Sequence, residues 1–130
     1  MTKQKLNDLL EKQILVGDGA MGTMLYENGI FINACFDELN LTKPQVVKDI
    51  HCGYVQAGAD FIETNTFGAN ALKLGNFGLA DKTETINQKG VELALECAGE
   101  NVLVAGAMGP SSKLVTKNTK SEKPAFKAFK

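Results

Sequence analysis

The chain has 130 residues, of which 44% are hydrophobic and 22% are charged, a composition typical of one globular domain. No apolar run approaches the roughly 18 residues that span a bilayer, and the charged N-terminus is unlike a signal peptide, so we expect a cytoplasmic protein without a membrane partner. All 14 basic residues are lysines, which excludes bidentate arginine contacts, so we expect no nucleic-acid partner.

Charge divides the chain into two parts. Residues 1–112 contain eight lysines and fourteen acidic residues, whereas residues 113–130 contain six lysines and a single acidic residue, Glu122. Clustered like charge at a chain end is typical of a solvated segment. We therefore predict a folded domain over residues 1–112 and a lysine-rich, disordered tail over residues 113–130.

The N-terminal segment predicts a helix followed by a strand. Leu6, Leu9 and Leu10 have the i, i+3, i+4 spacing of a short amphipathic helix, which we expect over residues 5–12. The apolar run at residues 14–16 is bounded by glycine and predicts a buried strand. Residues 28–41 are rich in polar and turn-forming types and predict a loop.

Residues 42–58 predict a longer helix. Thr42 and Gln45 form a capping-box pattern at its start, and Pro44 lies in its first turn. Gly58 marks its end. The residues expected on its buried face are Val47, Ile50, His51 and Tyr54.

The remaining elements alternate strand and helix. Residues 60–65 predict a strand, residues 69–74 a short helix, and residues 102–107 another strand. Asp81 and Glu84 form a second capping-box pattern, which predicts a helix that continues to residue 98. The residues expected on one face of this helix are Asn87, Val91, Ala94, Leu95 and Ala98.

The order of these elements predicts an α/β fold. Strands joined by crossovers of more than a dozen residues are typical of parallel pairing. The carboxyl ends of parallel strands lie at one edge of the sheet, where α/β proteins bind ligands. The predicted strands end in glycine, proline or polar residues at positions 17–19, 63–66 and 108–110, so we expect a functional site at this edge.

Residues 17–23 match the pattern G-x-G-x-x-G, which leaves three interpretations open. A dinucleotide site would place a diphosphate on the backbone N–H groups, but Asp18 puts a carboxylate there, and the compact unit needs a strand within residues 30–36. A structural tight turn would explain the glycines alone. A small-molecule site would use the N–H groups for a carboxylate and Asp18 for an ammonium group, which suits an amino acid.

Residues 63–70 begin with four polar side chains after a buried strand. Buried polar groups are costly unless they face a cavity or cap a helix, so we interpret this cluster as functional. His51 is the only histidine and stands next to Cys52, but no partner carboxylate or second ligand can be assigned to it, and we expect it to pack or cap. Cys35, Cys52 and Cys97 are far apart, and we predict ordinary, partly buried thiols that form neither a disulfide nor a metal site.

Three motifs together resemble the homocysteine S-methyltransferase family. They are GDGAMGT at residues 17–23, ELNL at residues 38–41 and YVQAGADFIETNTFGAN at residues 54–70. The likeness extends over residues 6–110 and is greatest to the N-terminal homocysteine-binding domains of the cobalamin-dependent members. Bifunctional members that also carry a methylenetetrahydrofolate reductase begin in much the same way.

The resemblance implies a (β/α)8 TIM barrel, of which this chain would supply about the first three βα units after a short N-terminal helix. It also implies that zinc binds homocysteine as a thiolate, which becomes methionine by accepting a methyl group. The donor would be methylcobalamin, a methyl-folate, or a sulfonium or betaine compound. The residues that the resemblance assigns to homocysteine binding are Asp18, Gly19, Ala20, Glu63, Asn65 and Thr66.

The zinc ligands of the family are cysteines near later strand ends, and none of the cysteines here matches those motifs. A barrel needs roughly 250 residues. The expected partners are therefore the C-terminal half of the barrel and cobalamin or folate domains, and we expect a fragment that is inactive alone, without catalytic or metal-binding residues. The alternatives are a non-catalytic amino-acid-binding or interaction module and a fragment of a dinucleotide-binding oxidoreductase.

Overall fold

The computed structural model describes residues 2–31, 33–111 and 127–128. Within these residues, four helices precede the first of two short strands, and two more helices lie between the strands. The helices are α1 (Lys3–Lys12), α2 (Met21–Glu27), α3 (Leu39–Thr42), α4 (Pro44–Gln56), α5 (Ala71–Leu74) and α6 (Thr83–Ala98), and the strands are β1 (Phe61–Glu63) and β2 (Leu103–Ala105). The 3₁₀ turns Gly75–Phe77 and Ala80–Lys82 connect α5 to α6.

Strands β1 and β2 pair in parallel, and Ile62 lies opposite Val104 in their register. The connection between them contains α6, because parallel neighbours need a long crossover. The side chain of Ile62 is fully buried and packs in one cluster with Ala94 and Ala98 of α6. The predicted α/β organisation with parallel strands is therefore confirmed.

The segment predicted as the first strand, residues 14–16, lies at the sheet edge and is not buried. Ile14 is 91% exposed and Val16 is 58% exposed. The segment still runs parallel to β1, because the Asp60 N–H donates to the Val16 carbonyl over 2.7 Å and one bridge pairs Gly17 with Phe61. The prediction of a buried strand is wrong, since an apolar run does not reveal whether another layer covers it.

Helix α4 has the predicted buried face but not the predicted start. Thr42 ends α3, where its hydroxyl donates to the Glu38 carbonyl over 3.2 Å, so it does not cap the next helix. Helix α4 begins at Pro44. Gly58 follows its end with a φ of +97°, a conformation that favours glycine, as predicted. Three of the predicted core residues, Val47, Ile50 and His51, are buried, and Tyr54 is partly buried.

Helix α6 starts later than predicted, and of the residues predicted to share one face only Ala94 and Ala98 are buried. Asp81 lies in the 3₁₀ turn Ala80–Lys82, and the helix begins at Thr83, so the second capping box is also wrong. Val91 and Leu95 are 39% and 53% exposed. The buried residues of α6 are Ile86, Gly90, Leu93, Ala94 and Ala98.

The largest apolar cluster holds α4 against its neighbours. Leu25 of α2, Val47 of α4 and Leu93 of α6 belong to this cluster and are almost fully buried. Complete burial of such a side chain stabilises the fold by about 1.5–3 kcal/mol. Packing between α4 and α6 therefore carries a large part of the stability and sets the position of the strands beneath them.

The cysteine prediction is wrong for two of the three residues. Cys52 of α4 and Cys97 of α6 form a disulfide across a sequence separation of 45 residues, and their Cα atoms are 4.9 Å apart. Cys35 is a free, fully buried thiol. Sequence distance misled the prediction, because α4 and α6 pack side by side. His51 is fully buried, in agreement with the predicted packing role.

No helix of the described part is long and apolar enough to cross a membrane. The predicted lysine-rich tail, residues 113–130, lies outside the described residues except for Lys127 and Ala128, which have helical backbone. Its predicted disorder therefore stays a prediction.

Candidate functional site

Asp18 and Glu63 meet at the carboxyl edge of the parallel segments. The Glu63 N–H donates to Asp18 Oδ2 over 3.0 Å, and the Asp18 N–H donates to the Phe61 carbonyl over 3.0 Å. Partial burial raises the pKa of the Asp18 carboxyl, and the negative charge of Glu63 adds to this rise. The backbone of Glu63 thus holds the Asp18 carboxylate at this edge, within the electrostatic influence of the Glu63 charge.

The glycines of residues 17–23 have structural reasons to be glycine. A Cβ on Gly19 would lie 2.8 Å from the Tyr54 hydroxyl, and one on Gly17 would lie 2.6 Å from the Phe61 ring. The Tyr54 hydroxyl also donates to the Ala20 carbonyl over 3.4 Å. The turn is therefore packed closely against α4 and β1, while Gly19 and Ala20 remain exposed to solvent.

A dinucleotide site requires a compact strand–helix–strand unit of about 30 residues. Helix α2 does follow the glycine motif, but the described residues between α2 and α3 contain no strand, and the next strand begins at Phe61. The predicted condition for dinucleotide binding, a strand within residues 30–36, is not met in the described part of that segment.

Thr64 and Thr66 join the ends of β1 and β2. The Ala107 N–H donates to Thr64 Oγ1 over 3.0 Å, and the Thr66 hydroxyl donates to the Ala107 carbonyl over 2.8 Å. The two threonine oxygens are 2.6 Å apart, so the Thr64 hydroxyl donates to Thr66 Oγ1 and closes a ring of three hydrogen bonds. The family resemblance assigns Thr66 to the pocket, whereas no local pattern in the sequence indicates this ring.

Asn65 pairs with Asn40 in the interior. Asn65 Nδ2 donates to Asn40 Oδ1 over 3.0 Å and to the Phe36 carbonyl over 2.8 Å. Asn40 Nδ2 in turn donates to the carbonyls of Asn65, over 2.8 Å, and Ile86, over 3.2 Å. The pair links the β1 end to α3 and α6. Asn40 lies within the ELNL motif, and only its partner in the fold reveals its role.

Two cavities open beside these residues. One, of about 330 Å³, is lined by Thr66, Asn70 and Asn87 among others. Asn70 is buried, and its Nδ2 has no hydrogen-bond partner among the residues that the structure describes. The other, of about 530 Å³, is lined by residues that include Asn65 and Asp37.

Asp37 is a further acidic residue that sequence analysis missed. The Gly68 N–H donates to Asp37 Oδ1 over 2.9 Å. Burial raises the pKa of the Asp37 carboxyl above its usual value. A Cβ on Gly68 would overlap the Asp37 carboxylate, so the glycine permits this contact. The site residues proposed from sequence thus fall into two groups: Asp18 contacts Glu63 beside the exposed turn, whereas Asn65 and Thr66 belong to the buried network.

The described residues do not fit a zinc site. Among them, no group of three histidine, cysteine, aspartate or glutamate side chains could hold a metal ion. Cys52 and Cys97 are bonded to each other, and Cys35 is packed in an apolar cluster with Leu74 and Ile86. We therefore assign no step of a reaction to zinc in this part of the chain.

The fold is an α/β arrangement with parallel strands and polar side chains at their carboxyl edge, the class to which α/β barrel enzymes belong. The sequence profile of the homocysteine S-methyltransferase family matches residues 15–130, and the chain belongs to that family.

Two curated relatives are methionine synthases. The chain is 41% identical over 123 residues to the protein from Mycobacterium tuberculosis, a match that covers 85% of this chain and 10% of the relative. It is 41% identical over 124 residues to the protein from Mycobacterium leprae, with 84% and 10% covered. The chain therefore spans about a tenth of the length of these relatives.

Similar solved structures are those of the homocysteine methyltransferase MmuM from Escherichia coli. The metallated form gives a TM-score of 0.70 at 28% identity and covers 81% of this chain and 41% of that protein. The oxidized form gives a TM-score of 0.71 at 30% identity and covers 81% and 40%. These matches are consistent with the predicted partial barrel.

Proposed function

We propose that this chain forms the amino-acid-binding N-terminal part of a homocysteine methyltransferase of the methionine synthase type. The observation that carries the proposal is the contact between the Asp18 carboxylate and the Glu63 N–H at the carboxyl edge of the sheet. The family membership of residues 15–130 supports homocysteine as the substrate.

Asp18 is suited to bind the ammonium group of an amino acid. Its pKa is raised by partial burial and by the neighbouring Glu63 charge, so a cation beside it would stabilise the ionised form. The exposed backbone of Gly19 and Ala20 lies next to Asp18 in the chain and offers polar groups for the substrate carboxylate. Together these groups match the two adjacent charges of an amino acid.

Asn65 and Thr66 hold the pocket walls in this proposal. Both side chains have their hydrogen bonds within the protein, which fixes the end of β1 against α3 and β2. Asn70 is the better candidate for direct contact from this side, because it lines the 330 Å³ cavity and its buried Nδ2 has no partner in the described part of the chain. A carbonyl or carboxylate oxygen would satisfy this donor.

Methyl transfer belongs to the proposal for the whole enzyme, with methylcobalamin or a methyl-folate as donor and further barrel, cobalamin and folate domains as partners. Among the described residues, no three potential metal ligands lie close enough together to hold a metal ion. The chain also covers only 41% of the metallated MmuM structure. We therefore propose that the chain alone does not form methionine from homocysteine. Detection of methionine after incubation with zinc, homocysteine and methylcobalamin would contradict this part of the proposal.

Amino-acid binding can be tested by calorimetry with ligands that lack a free thiol. L-methionine and L-2-aminobutyrate are suitable, because the thiol of homocysteine could also exchange with the Cys52–Cys97 disulfide and release heat. We expect Asp18→Asn to weaken binding about tenfold or more, since a hydrogen bond to a charged group contributes about 1.5–3 kcal/mol. N-acetylmethionine, which has no ammonium group, should not bind.

Asp81→Asn is the matched control, because Asp81 is exposed in the 3₁₀ turn Ala80–Lys82. This variant should bind L-methionine as the unaltered chain does. Equal binding by the Asp18 and Asp81 variants would overturn the assignment of Asp18. Absence of binding to the folded, unaltered chain would overturn the proposed amino-acid site itself.

A further inference from the structure

The disulfide between Cys52 and Cys97 joins the two helices that pack most directly on the strands. The Cα atoms are 4.9 Å apart, within the range of about 4.4–6.8 Å that disulfides require. Both cysteines are only partly buried, so small reagents can reach the bond, whereas Cys35 is buried. The bond is therefore accessible to thiol–disulfide exchange.

The surroundings also suit the reduced state. Cys97 Sγ lies 3.2 Å from the Lys48 carbonyl oxygen, so a thiol at residue 97 would have a hydrogen-bond acceptor close by. The Lys48 ammonium and the Glu96 carboxylate form an ion pair of 2.6 Å between the same two helices. These contacts keep α4 beside α6 when the covalent bond is absent.

We propose that Cys52 and Cys97 form a reversible thiol–disulfide pair that is oxidised by low-molecular-weight disulfides and locks α4 to α6. One cysteine thiolate attacks the small disulfide and releases a thiolate, leaving a mixed disulfide on the protein. The second cysteine thiolate then attacks the protein sulfur and releases the second small thiolate. The protein loses two electrons, the small disulfide gains them, and the two cysteine protons pass to the released thiolates.

Helix α6 connects the disulfide to the buried hydrogen-bond network at the strand ends. Gly90 of α6 lies against Asn40 and Thr66, and the Ile86 carbonyl accepts a hydrogen bond from Asn40. A covalent bond near the end of α6 restrains the same helix that completes this network. Oxidation is therefore expected to slow the local opening of the segment that contains Asn65, in addition to raising the stability of the whole chain.

Cys35 provides an internal contrast. Burial raises the pKa of its thiol, so it is protonated at neutral pH and is a poor nucleophile. It belongs to an apolar cluster with Ala69 and Ile86, and this cluster does not include Cys52 or Cys97. Its thiol should stay reduced under conditions that oxidise the pair.

The test equilibrates the full 130-residue chain with mixtures of reduced and oxidised glutathione, followed by trapping of free thiols and peptide mass spectrometry. We expect Cys52 and Cys97 to lose reactivity together in one two-electron transition, while Cys35 stays a thiol. Reduction should lower the melting temperature by about 10 °C, because the disulfide closes a loop of 45 residues. Amide hydrogen exchange around Asn65 should become faster on reduction.

Cys35→Ser should preserve the redox-dependent shift in melting temperature, and Cys52→Ser should abolish it. Thiols at residues 52 and 97 that stay reactive in oxidised glutathione, or a mixed disulfide that persists there, would overturn the proposal. A melting temperature that does not change when the disulfide forms would overturn the proposal that the bond stabilises the packing of α4 against α6. The thiol measurements use the unaltered chain, so they remain decisive even if a serine variant does not fold.

Discussion

Gly90 of α6 lies so close to Asn40 that a Cβ at residue 90 would be 2.7 Å from Asn40 Nδ2. The same Cβ would lie 2.6 Å from Thr66 Cγ2. In sequence, Gly90 resembles a weak point within a helix, because glycine lowers helix stability by about 1 kcal/mol relative to alanine. In the structure, it is the position that lets α6 approach the Asn40–Asn65 pair.

We therefore predict that Gly90→Ala destabilises the chain. The overlap displaces Asn40, and the loss of buried hydrogen bonds together with overpacking outweighs the gain in helix propensity by about 1–3 kcal/mol. Chemical denaturation followed by circular dichroism measures this change. Gly53→Ala in α4 is the matched control, because nothing lies within 4 Å of its Cβ position, and this variant should gain about 0.5–1 kcal/mol. Similar effects of both substitutions would contradict the close contact.

Thr66→Val should destabilise the chain by about 1–3 kcal/mol, since it leaves the Ala107 carbonyl without its donor and Thr64 without its acceptor. Valine keeps the shape of threonine, so the loss reports on the hydroxyl. Thr85→Val is the control, because Thr85 is exposed on α6. Equilibrium denaturation with a loss no larger than that of the control would show that the ring of hydrogen bonds contributes nothing.

His51 should make the chain acid-sensitive. Burial lowers its pKa from 6.5 to about 4, so between these values the unfolded state binds the proton and the folded state does not. The free energy of unfolding therefore rises with pH across this window and falls on acidification, by up to about 3 kcal/mol. The raised pKa values of Asp18 and Asp37 act in the opposite direction just above pH 3.8.

Measurement of the free energy of unfolding between pH 4 and 6.5 tests the role of His51. His51→Leu should remove most of the pH dependence in this window. It should leave stability at neutral pH unchanged or higher, because both ring nitrogens of His51 are buried and have no partner among the described residues. The carboxyl groups are the same in both chains, so they do not affect the comparison. An identical pH profile for the two chains would exclude His51 as the cause.

Asn70 combines a structural and a proposed binding role, which substitutions can separate. Its Oδ1 accepts the Lys73 N–H over 3.0 Å and caps α5, whereas its Nδ2 has no partner. Asn70→Ser keeps an acceptor at the cap and removes the unpaired donor, so stability should stay equal or rise, while Asn70→Ala should lose about 1 kcal/mol. Calorimetry should show weaker L-methionine binding by the serine variant if Nδ2 contacts the ligand. Unchanged affinity would remove Asn70 from the proposed pocket.

Local signals in the sequence determined most of the element order. Apolar periodicity and glycine positions located α1, α4, α6 and both strands, because these features depend only on residues a few positions apart. They did not locate the starts of α4 and α6, since Thr42 is the last residue of α3 and Asp81 lies in the 3₁₀ turn before α6. The motifs at residues 17–23, 38–41 and 54–70 were sufficient for the family.

The sequence alone thus determined the α/β class, the parallel order of the strands and the gathering of polar residues at their carboxyl edge. Only the tertiary structure decided which of these residues meet: Asp18 with Glu63, Asn40 with Asn65, and Cys52 with Cys97. It also decided that Ile14 is exposed at an edge. The physical reason is that each of these pairs joins residues 25 to 45 positions apart in the chain, which meet only through the packing of whole elements, and local patterns do not show that packing.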